Sequence, residues 1–234
     1  MKAFKATILA TALLTLTSLA FSQTSKQDRH LTGFNAVHLA GSFDVRITQG
    51  SSESVNVEAP ANVIDRIITE VDGGTLKIYT KNSNGWHWDN NNKKMIVYVS
   101  IKDVTAVSLS GSGDIDFKDG LRAPSLKLSL SGSGDITGKV AVKELESSVG
   151  GSGDMTISGS ADISNVKVGG SGDFTARNLV TVTSIVRVGG SGDASVNASE
   201  KLDISVGGSG DVHYTGSAKN VHTTKSGSGD ISKM

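Results

Sequence analysis

The chain has 234 residues, 23 basic and 23 acidic side chains, and no cysteine. Balanced charge argues against a nucleic-acid binder that works by neutralising phosphates, and the missing cysteine excludes disulfides, thiol catalysis, cysteine-ligated metals and a cysteine-anchored lipoprotein. An apolar fraction of 37% together with 28 glycines suits a packed domain and excludes wholesale disorder.

Lys2 and Lys5 precede an apolar run from Ala6 to Ala20, and Ala20-Phe21-Ser22 then offers small residues where a signal peptidase reads. The run is too short and too rich in Thr for a membrane span. Residues 1–22 are expected to be a signal peptide cleaved before Gln23. The chain is then exported with no transmembrane segment, to the periplasm, the outer surface or the medium.

Residues 23–103 read as β-rich. Val37, Leu39, Phe43, Val45 and Ile47 alternate with polar residues, and Val55 and Val57 follow the polar turn Gln49–Ser54. Leu76 and Ile78 follow the turn Asp72-Gly73-Gly74, and Ile96–Ile101 makes another strand. Such alternation buries one face and exposes the other. A short helical turn is expected near Ile64–Ile68. Ala40-Gly41-Ser42-Phe43-Asp44 looks like a degenerate copy of a motif that governs the second half. The region is expected to be a cap or the opening rungs of one solenoid.

Asn82–Asn92 lies between two strands and holds both tryptophans of the chain. Two readings stay open for Trp86, His87, Trp88 and Asp89. One is a hairpin tip whose indoles fold back on the sheet or pack against a subunit. The other is an exposed aromatic platform for a sugar ring, with Asp89 and the asparagines hydrogen-bonding its hydroxyls.

From residue 104 to 234 a repeat takes over. Gly-Ser-Gly-Asp begins at Gly111, Gly132, Gly151, Gly170, Gly190, Gly208 and Gly227, at intervals of 21, 19, 19, 20, 18 and 19 residues. A fixed period of this length marks a solenoid. Leu126, Leu128 and Leu130 alternate before one box, as do Leu202, Ile204 and Val206 before another. A mostly apolar residue follows each Asp: Ile115, Ile136, Met155, Phe174, Ala194, Val212 and Ile231. The expected fold is all-β, a parallel β-helix with rungs of 19–20 residues, each of three short strands and three corners. A repeated antiparallel meander is the competing layout. The box glycines are expected to supply positive φ at a sharp corner, and each Asp to cap its own corner.

In such a coil Asp114, Asp135, Asp154, Asp173, Asp193, Asp211 and Asp230 form a ladder of like charges one strand spacing apart. Either each carboxylate is solvated, or Ca²⁺ bridges adjacent rungs through carboxylate and carbonyl oxygens. The calcium-binding nonapeptide reads Gly-Gly-x-Gly-x-Asp, whereas Gly150-Gly151-Ser152-Gly153-Asp154 places Asp one position early. No cofactor or resident metal is therefore expected.

No catalytic constellation emerges. His30, His38, His87, His213 and His222 are scattered, with no His-Glu-x-x-His pattern. Glu144 and Glu146 share a strand face, in the manner of a carboxylate pair of a polysaccharide lyase or hydrolase, but basic groove residues are not evident beside them. The chain is expected not to be an enzyme.

Phe34-Asn35-Ala36-Val37 with Gly41-Ser42-Phe43-Asp44-Val45, the turn Asp72-Gly73-Gly74-Thr75-Leu76-Lys77-Ile78, and the serial boxes carry a resemblance as a set. The chain resembles the auto-transporter adhesin head GIN domain family of exported bacterial proteins over nearly all of its length after residue 22. The resemblance implies a β-helix-like fold outside the cytoplasm, an adhesive role and no catalytic residues. An auto-transporter carries a C-terminal membrane barrel, whereas Met234 follows soon after the last box, so self-transport is not expected. The sequence thus reads as an exported binding protein, adhesin-like, for glycans or cell-envelope polymer. The alternatives are a structural or self-associating envelope protein, with a homo-oligomer as its form, and a polysaccharide-active enzyme.

Overall fold

The structure is a computed structural model that describes residues 24–81 and 94–234. The signal-peptide expectation and the Trp86–Asp89 segment lie outside the described residues.

The regular structure of the described residues is strand, apart from one 3₁₀ turn. The first part contains β1 (Thr24–Asp28), β2 (Ala36–Ala40), β3 (Asp44–Gln49), β4 (Ser54–Pro60), β5 (Ile67–Asp72), β6 (Thr75–Thr80), β7 (Ile96–Ile101) and β8 (Ala106–Leu109). The helical turn expected near Ile64–Ile68 is a single 3₁₀ turn, Ile64–Arg66, that runs straight into β5. The repeat forms β9 (Ile115–Leu130), β10 (Ile136–Val149), β11 (Met155–Val168), β12 (Phe174–Val188), β13 (Ala194–Val206), β14 (Val212–Thr215), β15 (Asn220–Lys225) and β16 (Ile231–Lys233).

Every ladder from β9 to β16 is parallel, so the coil and not the meander is the fold. Rungs stack in register, with Ile136 opposite both Ile115 and Met155. In place of three separate strands, β9 to β13 each carry one long bent strand, and the repeat strand breaks at the Gly-Ser-Gly-Asp corner. The remaining bends show as slips in the inside–outside alternation. In β10 the buried positions run Ile136, Gly138, Val140 and Val142, then resume at Leu145, Ser147 and Val149.

The cap is threaded out of order. β2 lies between β6 and β8, and β3 lies between β7 and β9, all parallel. The β6–β7 rung therefore sits outside the β2–β3 rung although it comes later in the chain. β5 and β4 close this end as antiparallel strands on β6 and β7, and β1 adds to β4.

One apolar core runs the length of the coil, from Phe34 to Val212. Phe43, Phe117 and Phe174 are its largest fully buried side chains. The Phe117 ring fills the place a side chain would take one rung on: a Cβ at Gly138 would lie 1.9 Å from its Cε2. Three hydroxyls are also sealed inside. Ser147, Ser164 and Ser184 are at most 1% exposed, and none has a hydrogen-bond partner among the described residues.

Candidate functional site

The box corners stack into a continuous ridge. The first Gly of each box accepts, through its carbonyl, the N–H of the Ser one rung on, as from Ser152 to Gly132 at 3.0 Å. The box glycines are needed for this closeness and not for positive φ, which corrects the sequence expectation. None of them has positive φ. A Cβ at Gly153 would instead lie 2.0 Å from the carbonyl oxygen of Gly134, and the other boxes repeat that clash. The corner needs Gly because two backbones meet there.

The carboxylates also differ from expectation. Except in the last box, each Asp Oδ1 accepts the main-chain N–H of the Asp in the next rung, not of its own corner. The bonds run from Asp135 to Asp114 at 2.9 Å, from Asp154 to Asp135, Asp173 to Asp154 and Asp193 to Asp173 at 2.8 Å, and from Asp211 to Asp193 and Asp230 to Asp211 at 2.7 Å. The N–H dipole offsets part of the like-charge repulsion along the ladder. At the far end the Lys225 ammonium donates to Asp230 at 2.6 Å and holds that carboxyl below its usual range.

The ladder has one more member than the boxes alone suggest. Asp44 Oδ1 accepts the N–H of Asp114 at 3.3 Å, and the Ser112 N–H donates to the Gly41 carbonyl at 2.9 Å. The degenerate Gly41-Ser42-Phe43-Asp44 is thus a working corner. Its spacing, Gly-Ser-x-Asp, was the available signal. Box serines such as Ser133, Ser152 and Ser171 stand exposed beside the carboxylates. Among the described residues no group of three carboxylates or imidazoles is placed to hold a metal ion.

The strands of the neighbouring rung flank the same corner. Tyr79 lies opposite Ala40, and Ile96 lies opposite Asp44. Residues 41–43 join the two arms, β2 and β3, in one rung, and β6 and β7 are the corresponding arms of the next. Next to this junction is a surface hollow of about 280 Å³ lined by Ala40, Gly41, Ser42, Thr80, Ser110, Gly111 and Ser112. Nearby, His38 Nδ1 and Ser108 Oγ are 2.8 Å apart, and Ser110 Oγ lies 3.3 Å from His38 Nε2. Burial, and then the Lys77 ammonium, push the His38 imidazole below its ordinary pKa, so the ring favours its neutral form. Glu144 and Glu146 do share the outer face of β10, and Glu146 is 3.4 Å from Lys127 Nζ.

The sequence profile of the family described as "Putative auto-transporter adhesin, head GIN domain" matches residues 33–218. The chain belongs to this family. Solved structures show the same fold. A protein from Bacteroides fragilis described as a "putative adhesin" superposes with a TM-score of 0.84 at 25% identity, covering 91% of this chain and 97% of that one. A "putative adhesin" from Parabacteroides distasonis gives 0.74 at 22%, covering 92% and 98%. A "putative lipid binding protein" from the same organism gives 0.70 at 24%, again covering 92% and 98%. No curated protein matches the chain. Among the described residues no helix is long and apolar enough to cross a membrane, which leaves strands out of account.

Proposed function

We propose that this GIN-domain chain is an exported, non-catalytic binding protein that recognises glycans or cell-envelope polymer. Residues 1–22 direct its export, residues 23–103 cap the solenoid, and residues 104–234 form its repeated face. The observation that carries the reading is the ridge of exposed box hydroxyls and carboxylates stacked along the coil. The sequence adds Trp86, His87, Trp88 and Asp89 between β6 and β7. Aromatic faces supply contact area to sugar rings, and a ridge repeating at strand spacing suits a polymer engaged many times and weakly. The family assignment and the B. fragilis neighbour support an adhesive role.

Self-association is the second reading, and one observation opposes it at the far end. Lys225 takes the place of Val206 in the next rung, where Leu130, Val149, Val168, Val188 and Val206 form an aliphatic column. Lys225 is exposed there and bonded to Asp230, and a lysine on an edge strand discourages strand addition.

The test is binding of purified protein to immobilised glycans and envelope polysaccharides, beside a Trp86→Ala/Trp88→Ala variant. Binding that the variant loses is the expected result. Equal binding by both proteins would remove the tryptophans from the site, and no binding to any polymer would overturn the glycan reading.

A further inference from the structure

The repeat is irregular at one place, and a cleft opens there. The first interval between boxes is 21 residues, two longer than the next. The register locates the excess. Ile115 to Phe117 lie opposite Ile136 to Gly138, but Leu121 lies opposite Val140. Between them β9 detours through Lys118, Asp119 and Gly120, and Gly120 takes the left-handed φ of 97° that the detour needs.

The detour lies where the solenoid meets its cap. β3 pairs with β7 along its whole length, yet with β9 only at Val45–Ile115 and Arg46–Asp116. Beyond that point the strands part. Gln49 bridges the gap from the far side: its Oε1 accepts the Arg122 N–H at 2.7 Å, and its Nε2 donates to the Arg122 and Lys102 carbonyls at 2.9 Å. The opening is a cleft of about 390 Å³.

Its lining combines an aromatic ring, Tyr98, with Arg46, Thr48, Asp116, Lys118 and Asp119. Tyr98, Arg46 and Asp116 stand side by side on adjacent strands. Lys118 Nζ binds Asp116 Oδ2 at 2.9 Å. Among the described residues the Arg46 guanidinium and the Asp119 carboxylate engage no partner. Two cations face two anions, so the cleft favours neither a phosphate nor a polycation. It offers charged donors, charged acceptors and one ring face together. That is the complement of a pyranose, which has an apolar C–H face and a rim of hydroxyls that both donate and accept.

We infer that the cleft between β3 and β9, with Tyr98 as its platform and Arg46 and Asp119 as its hydrogen-bonding arms, is a saccharide-binding site separate from the tryptophan segment. The inference rests on the reading of the protein as a glycan binder. Its test is a titration of ¹⁵N-labelled protein with glucose, galactose, mannose and N-acetylglucosamine, each added singly. Shifts should centre on the amides of Arg46, Thr48, Tyr98 and Asp119 for at least one sugar. Asp119→Asn and Arg46→Gln, both at exposed positions, should each weaken that binding about tenfold with an unchanged melting temperature. Trp86→Ala/Trp88→Ala should leave these shifts intact. Shifts confined elsewhere, equal affinity in both cleft variants, or silence with all four sugars would overturn the inference. Polymer binding that survives Asp119→Asn and Arg46→Gln removes this cleft and leaves the glycan reading standing. Loss of all polymer binding by wild type removes both.

Discussion

The main-chain N–H of Asp154 donates to Oδ1 of Asp135, 2.8 Å away in the preceding rung. Asp154 in turn receives the N–H of Asp173 at the same distance. Each carboxylate thus acts as a clasp between two turns of the coil. Asp154→Ala leaves the Asp173 N–H to water and is expected to cost about 1 kcal/mol. Asp154→Asn keeps an acceptor and removes one like charge, so it should cost less. Urea unfolding at low and high salt separates the two, because only the charge effect is screened.

The glycine corners predict a sharp positional contrast. Gly153→Ala drives a methyl against the Gly134 carbonyl, whereas an added Cβ at Gly169 meets nothing within 4 Å. Gly153→Ala should lose about 3 kcal/mol or more, and Gly169→Ala should stay within about 0.5 kcal/mol. Equal unfolding midpoints for the two variants would contradict the stacking account of the box.

The sealed hydroxyls run the other way. Ser164 is buried between Leu145 and Ser184, with no partner for its Oγ. Ser164→Ala removes an unsatisfied polar group and is expected to raise stability by about 1 kcal/mol. Leu145→Ala, next to it, should cost about 2–5 kcal/mol. Thermal unfolding of the pair checks both signs.

His38 predicts a pH dependence. Its folded pKa is depressed by burial and by Lys77, so the unfolded chain takes up the proton more readily. Its contribution to stability is present above the ordinary histidine value of about 6.5 and is lost as pH falls through the lower folded value. His38→Gln should flatten the fall in urea midpoint between pH 7 and pH 5. A wild-type curve no steeper than the variant's would contradict this.

Much of the coil is legible in the boxes, because one short motif at a near-constant interval implies stacked corners and the alternating valines and leucines imply a filled interior. The chemistry of the corner is less so. Positive φ is the ordinary reason for Gly at a turn, and only the approach of a second backbone, invisible in one dimension, shows why Gly153 admits no Cβ. The partner of Asp154 is equally hidden, since it lies one rung away. The cleft at Arg46 and Asp119 leaves a trace in the 21-residue interval, but Tyr98 joins it through a pairing that chain order conceals. The tryptophan segment is conspicuous by composition alone.

The interleaved cap bears on how the molecule assembles. Both hydrogen-bonding edges of β2 are filled by later residues, Thr75–Tyr79 on one side and Ala106–Leu109 on the other. A growing chain cannot add its rungs in the order it is made. The first rung strand gains its first partner only some forty residues later and its second only some seventy residues later, and closing such long loops slows folding. Downstream rungs contact only their neighbours and carry no such delay, so the repeat can order first and serve as the template on which the N-terminal end is laid down.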